Sequence, residues 1–172
     1  DVRIEPLRGN LDTRLRKLDE GQYHAIVLAA AGLKRLKMSD RIRHIFEPEQ
    51  SLPAAGQGAL GIEVRSDRAD LVEALKPLVH MPTWLRVAAE RTVSRAMGGS
   101  CSMPLAAYAR WVDGTADTLR LDAAWGDPDG RLALVRVGEQ AVIRTLAEAE
   151  ALGQRVAAAL RAAGAQPPAT EA

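Results

Sequence analysis

The sequence predicts an α/β protein built in two parts, half of an open α/β lobe followed by a small α-β-β-β-α domain. Three observations carry this expectation. A continuous apolar run, His24-Ala25-Ile26-Val27-Leu28-Ala29, has the length of a strand buried on both faces. Three strand-like runs at 105–112, 118–125 and 132–137 are separated by Asp113-Gly114 and Asp127-Pro128-Asp129-Gly130, which is hairpin-turn chemistry. Helical stripes flank those runs at 83–97 and 145–163.

Taken in order, residues 2–7 alternate like a short strand. Asn10 can cap a helix that runs through Leu15 and Leu18 and stops at Gly21. The apolar run at 24–29 follows, then a helix start at 30–36 and a second short helical piece at 40–46. The order β-α-β-α is that of one half of an open sheet. Two parallel strands alone cannot cover their faces and edges. The chain is therefore expected to begin inside a domain whose earlier half is absent, its strands pairing with another chain or poorly ordered.

Residues 51–58, Ser-Leu-Pro-Ala-Ala-Gly-Gln-Gly, hold one proline and two glycines and read as a linker or hinge. Residues 59–65 alternate like a strand. Residues 67–78 read as a helix with Leu71, Leu75 and Leu78 at helical spacing. His80-Met81-Pro82 breaks that pattern, and a helix follows at 83–97 with Leu85, Ala88, Ala89, Thr92 and Ala96 on one face. The last helix, 145–163, carries Leu146, Ala149, Leu152, Val156, Leu160 and Ala163 as its stripe. Residues 166–172 contain two prolines and are expected to be a disordered tail.

Composition narrows the function classes. Among 172 residues the net charge is +1 and aromatics make up 3%, which argues against phosphate tracking and base stacking on nucleic acid. No apolar run is long enough to span a bilayer, and no charged-apolar-small leader stands at the start. One cysteine suits a reducing compartment, so the expected location is cytoplasmic. The cations are 19 Arg and only 4 Lys. Guanidinium grips carboxylates two bonds at a time, so this excess suits a polycarboxylate ligand, although genomic bias produces the same excess.

Four segments carry the chemistry. In Leu7-Arg8-Gly9-Asn10 with Thr13-Arg14-Leu15, two guanidinium groups stand beside a helix N-terminus, where free N–H groups already favour anions. A solvated helix start is the alternative. In Ala29-Ala30-Ala31-Gly32-Leu33-Lys34-Arg35, a strand enters a helix at its carboxyl end, where open α/β sheets bind ligands. There Gly32 would admit a close backbone approach, and Arg35 can reach the same ligand, although many such glycines are simply turns. Gln57 lies between two glycines and offers an amide to a ligand caught between domains; a plain linker accounts for it equally. Cys101 stands in Gly98-Gly99-Ser100-Cys101-Ser102-Met103-Pro104, a thiol displayed on a turn. Covalent chemistry and an inert surface thiol are both open. No paired Cys-x-x-Cys or His-Cys-Cys set exists, so no metal is expected.

Together these strings resemble the hydroxymethylbilane synthase (porphobilinogen deaminase) family. Lys17-Leu18-Asp19, Ala25-Ile26-Val27-Leu28-Ala29, Ala31-Gly32-Leu33-Lys34-Arg35-Leu36, Leu52-Pro53-Ala54, Gly56-Gln57-Gly58-Ala59, Gly61-Ile62-Glu63 and Glu90-Arg91 extend the match in register. The resemblance implies that residues 1–52 are the second half of a middle, periplasmic-binding-protein-like domain. It makes 53–80 a hinge and a segment crossing back to a first domain, and 81–165 the C-terminal domain that carries the cofactor cysteine. It implies a transferase that condenses four porphobilinogen units, with loss of ammonia, into linear hydroxymethylbilane in haem biosynthesis. The growing oligopyrrole is primed by a dipyrromethane cofactor joined through a thioether to Cys101. Arg8, Arg14 and Arg35 match positions that bind pyrrole carboxylates, and Gly32 and Gln57 match positions lining the cofactor cleft.

Two departures bear on these expectations. Ser100 intervenes between the usual glycine pair and the cysteine. The family's catalytic aspartate belongs to an N-terminal half that is not in this sequence, so no catalytic residue is expected here. The chain alone is expected to be inactive and to carry a free thiol, its partner being that missing half, and the complete enzyme is expected to be a monomer. The alternative reading is a non-catalytic anion-binding lobe of a periplasmic-type binding protein, which explains the β-α-β order and the arginines but not the cysteine loop.

Overall fold

The computed structural model describes residues 2–99, 103–127 and 133–166. Cys101, most of the expected 127–130 turn and the tail from residue 167 lie outside the described residues. The chain divides into two compact units, Asp1–Phe46 and Glu47–Ala172.

The first unit holds helices α1 (Leu11–Asp19) and α2 (Ala30–Arg35) and a 3-10 turn at Ser39–Arg41. The Asn10 side chain accepts the Thr13 N–H at 2.9 Å and so starts α1 where the sequence indicates. The Asp19 carboxylate accepts from the Arg41 guanidinium at 2.5 Å, tying the end of α1 to the 3-10 turn. Among the described residues of this unit, Leu15 and Leu33 alone are buried. The expected strands at 2–7 and 24–29 are not formed. A strand needs a neighbour for its N–H and C=O groups, and neither segment has one in this unit; Ile4 and Val27 stand 91% and 75% exposed. The helical piece expected at 40–46 shrinks to the 3-10 turn because Ile45 and Phe46 find no core to cover.

The second unit contains α3 (Ala69–Leu75), which tightens into a 3-10 turn at Lys76–Leu78 where Pro77 enters. The 59–65 strand is likewise absent, with Leu60 and Ile62 exposed. Then come α4 (Met81–Ala96), β1 (Leu105–Trp111), β2 (Thr118–Trp125), β3 (Val135–Val142) and α5 (Leu146–Ala162). The strands form one antiparallel sheet in the order β1-β2-β3, with Ala109 opposite Leu121 and Leu121 opposite Glu139. This is the expected α-β-β-β-α arrangement. One sheet face packs on α4 and α5 around Ala89, Val93, Met97, Leu119, Leu121, Leu152, Val156 and Leu160, all fully buried.

Two local details differ from the sequence reading. Met81 and Pro82 open α4 instead of breaking the chain, because the first helical turn needs no N–H from proline. β3 runs Val135–Val142, continuing through Gly138, where only a glycine fits. Gly138 lies directly opposite Asp122, and a Cβ there would collide with Asp122 Oδ1 and come within 2.5 Å of Arg120 Nη2. The glycine thus makes room for the Arg120–Asp122 ion pair (2.8 Å) to lie across the sheet. In α5, Gly153 allows close approach to α4: a Cβ would fall 2.6 Å from the Ala89 carbonyl oxygen. The Thr145–Glu148 capping box starts α5, with Glu148 accepting the Thr145 N–H at 2.9 Å. No helix among the described residues is long and apolar enough to cross a membrane.

Candidate functional site

β1 is an edge strand, and its free hydrogen-bonding edge would ordinarily invite another chain. Here the unit claims that edge itself. The Ala107 N–H donates to the Pro53 carbonyl at 3.2 Å, and the Ala109 N–H donates to Glu90 Oε1 at 2.8 Å. The Ala109 carbonyl accepts from Arg86 Nε at 2.7 Å, and the Arg86 guanidinium lies 5.6 Å from the Tyr108 ring centre.

Glu90 is the pivotal residue. It projects from α4 and is 3% exposed. Its second oxygen, Oε2, accepts the Gly56 N–H at 2.8 Å. One carboxylate therefore joins α4, β1 and the Pro-Gly-rich segment. Burial pushes the Glu90 carboxyl above its ordinary value, while the two N–H donors and Arg86 pull it back.

The Gly56 anchor positions Gln57. The Gln57 N–H donates to the Ala54 carbonyl at 3.0 Å, and Gly56 and Gly58 take positive φ angles of 74° and 84° that favour glycine. Gln57 is exposed at the tip of this turn, and its side-chain amide makes no hydrogen bond to a described residue. It is available to a ligand.

In the first unit, the Arg14 Nε donates to the Gly9 carbonyl at 2.8 Å, which folds the guanidinium back onto the start of α1. Gly9 takes φ 124°, and Thr13 fills the space a Cβ would occupy. Arg8 precedes this turn, is exposed, and has no ion-pair partner among the described residues. Arg8 and Arg14 thus flank one helix start, neither with an ion-pair partner among the described residues, while Asp12 stands in the same first turn. Arg35, in the last turn of α2, is also exposed and unpaired among the described residues. A Cβ on Gly32 would meet nothing within 4 Å, so that face of α2 is open, while the Gly32 N–H is engaged with the Ala29 carbonyl at 3.0 Å.

Most other arginines are already committed. Arg16, Arg41, Arg65, Arg68, Arg144 and Arg155 each pair with a carboxylate. Arg8, Arg14 and Arg35, and also Arg43 and Arg91, have no carboxylate partner among the described residues. Cys101 lies just beyond Gly98 and Gly99, which end α4 with φ 112° and 64°; its own geometry falls outside the described residues. No three His, Cys, Asp or Glu side chains among the described residues gather as a metal site.

The sequence pointed to Gln57, Arg8, Arg14, Gly32 and Arg35 but gave Glu90 no role beyond its place in a matching string. A carboxylate one turn after Arg86 and three residues before the buried Val93 was the available signal, since a charged residue in an apolar stripe is buried only when partnered.

Comparison with known proteins gives a consistent result. Residues 1–73 match the family profile described as "Porphobilinogen deaminase, dipyromethane cofactor binding domain", and residues 84–162 match "Porphobilinogen deaminase, C-terminal domain". The porphobilinogen deaminase of Albidiferax ferrireducens is 71% identical over 163 residues, 95% of this chain and 51% of that protein. The porphobilinogen deaminase of Ralstonia nicotianae is 64% identical over 154 residues, 90% of this chain and 45% of that protein. That of Methylobacillus flagellatus is 51% identical over 164 residues, 95% of this chain and 51% of that protein. The chain spans about half the length of the curated relatives it matches.

Proposed function

The chain belongs to the porphobilinogen deaminase family, and from that premise we propose that it forms the cofactor-holding part of a hydroxymethylbilane synthase. The complete enzyme condenses four porphobilinogen units, releasing ammonia at each addition, into linear hydroxymethylbilane. The observation that carries this reading is the 71% identity over 163 residues, 95% of the chain, to a porphobilinogen deaminase.

The residues fit a dipyrromethane bearing acetate and propionate groups. Arg8 and Arg35 hold unpaired guanidinium groups, and Arg14 adds a third beside Arg8. Gly32 keeps one face of α2 open, and Gln57 presents a free amide. In this reading the arginines grip the carboxylates with forked hydrogen bonds, and Gln57 donates to or accepts from the pyrrole chain. The Cys101 thiolate is the soft nucleophile that holds the primer through a thioether. When bound, the dipyrromethane supplies the terminal pyrrole carbon to which each new unit is added.

The reading also assigns residues 1–52 to half of a periplasmic-binding-protein-like lobe, 53–80 to a hinge and returning segment, and 81–165 to the cysteine domain. The remaining half of the protein supplies the catalytic aspartate, and the enzyme works as a cytoplasmic monomer. A protein containing this chain together with that half should convert porphobilinogen to hydroxymethylbilane. Arg8→Leu or Arg35→Leu should cut that turnover at least tenfold. Unchanged turnover in both variants would remove the carboxylate-binding assignment. Binding of simple anions with no turnover by the complete protein would favour a non-catalytic anion-binding lobe instead.

A further inference from the structure

We propose that Lys37, together with Lys34, extends the carboxylate grip of Arg35 and holds the negative charge that builds up as successive porphobilinogen units are added. The proposal rests on the porphobilinogen deaminase reading above and adds two residues to that site.

Among the described residues, Lys37 is the one non-glycine residue with a positive φ, 58°. That left-handed conformation presses a Cβ against the following carbonyl, so the position favours glycine. The fold requires the conformation. The Lys37 N–H donates to the Lys34 carbonyl at 3.1 Å and the Met38 N–H to the Leu33 carbonyl at 2.9 Å, which closes α2 behind the buried Leu33. Glycine would meet this backbone demand better than lysine does. A cation in the last turn of a helix steadies the helix dipole, which accounts for Lys34 and Arg35, but Lys37 lies beyond the end of α2. Its side chain is exposed. A residue kept in a conformation that suits another points to a use outside the fold, and what lysine adds is charge.

The charge distribution points the same way. Residues 34–43 hold five Lys and Arg against one carboxylate, Asp40. Arg41 is committed to Asp19, which leaves Lys34, Arg35 and Lys37 as exposed cations gathered about the end of α2. The whole first unit, Asp1–Phe46, carries ten Lys and Arg against six Asp and Glu, a net charge of +4 in a chain whose total is +1. The positive field is therefore concentrated in this unit.

The chemistry gives such a field a use. At each addition the C–N bond of the aminomethyl group breaks and a C–C bond forms to the terminal pyrrole carbon. The proton of that carbon leaves with the ammonia as ammonium. Each unit thus brings an acetate and a propionate and loses its only cation, so negative charge at the site grows by two with every addition. Later additions need more cations than the first. A lysine on a flexible stem suits carboxylates whose positions shift as the reaction proceeds, where a rigid guanidinium fork does not.

Two measurements test this. In the 172-residue chain, Lys37→Gly should leave the melting temperature unchanged or raise it, because glycine suits the backbone. In the complete protein, intact mass spectrometry after rapid mixing with porphobilinogen follows the species bearing one to four added units. Lys37→Gly should keep the first addition within twofold of the unaltered rate and slow the third and fourth at least fivefold. Lys34→Gln should act in the same direction, and Lys37→Arg should retain most of the later rates. The inference is overturned if Lys37→Gly makes the third and fourth additions at the unaltered rate. It is equally overturned if that variant melts lower or slows all four additions alike, since the lysine would then serve the fold. An unaltered complete protein that adds no porphobilinogen would overturn the porphobilinogen deaminase reading itself, and this inference with it.

Discussion

The Glu90 carboxylate and the Gly56 N–H lie 2.8 Å apart, with the carboxylate almost wholly buried. Its other oxygen accepts from Ala109 on β1. A residue inside a helix thus holds both the edge of a sheet and the turn that presents Gln57. Two short charge-assisted bonds offset part of the cost of burying the charge.

Glu90→Gln should therefore destabilise the C-terminal unit out of proportion to its small change in shape. The amide keeps one acceptor and turns a donor towards the other N–H. One of Gly56 and Ala109 is left unsatisfied, at a cost of about 1–3 kcal/mol. Glu90→Ala strands both and should cost more. Urea unfolding of the three proteins gives the order directly.

The same residue sets a pH dependence. Burial raises the folded Glu90 carboxyl above its ordinary 4.5. Between that value and the raised one, the folded protein holds a proton the unfolded chain has lost. Stability from this group is therefore fullest below 4.5 and declines as pH rises through the folded value. Glu148 works in the opposite sense. The Arg144 and Thr145 N–H groups hold its carboxyl below the ordinary value, so its contribution is present above 4.5 and is lost as pH falls through the folded value. Wild-type stability, measured against pH, should fall relative to that of Glu90→Gln as pH rises above 4.5. A difference that stays flat would remove the burial account.

Gly153→Ala should destabilise the protein even though alanine favours helix. The added methyl would fall 2.6 Å from both the Ala89 carbonyl oxygen and Thr92 Cβ, forcing α4 and α5 apart. Overpacking of this kind costs about 1–3 kcal/mol, more than the roughly 1 kcal/mol gained in helix propensity. A lower melting temperature is the expected result.

Gly138→Ala makes a parallel test on the sheet. The new methyl meets Asp122 and Arg120, so their ion pair must move away from the space over Gly138 on β3. Thermal stability should fall, and an Asp122→Ala background should recover part of the loss by clearing the space.

The C-terminal unit was readable because its signals were local. The Asp113-Gly114 turn and the stripes through Leu152, Val156 and Leu160 each fix structure within a few residues. The strands expected at 2–7 and 24–29 were misjudged because strand formation depends on a neighbour, which an apolar run such as Ile26-Val27-Leu28 does not specify. The strand expected at 132–137 stopped short of Gly138, whose reason for being glycine lies on another strand, at Asp122. Glu90 gained no role for the same reason: both N–H partners, Gly56 and Ala109, are distant in sequence. Arg8, Arg14 and Arg35 were visible as types and positions, but only the structure separates them from the arginines spent on ion pairs.

The most direct measurement of the central claim is the intact mass of the complete protein that contains this chain, with and without Cys101→Ser. The account predicts a mass excess equal to two pyrrole units on the unaltered protein, located to the Cys101 peptide and absent from the serine variant. An adduct retained in Cys101→Ser, or no adduct on the active unaltered protein, would contradict it.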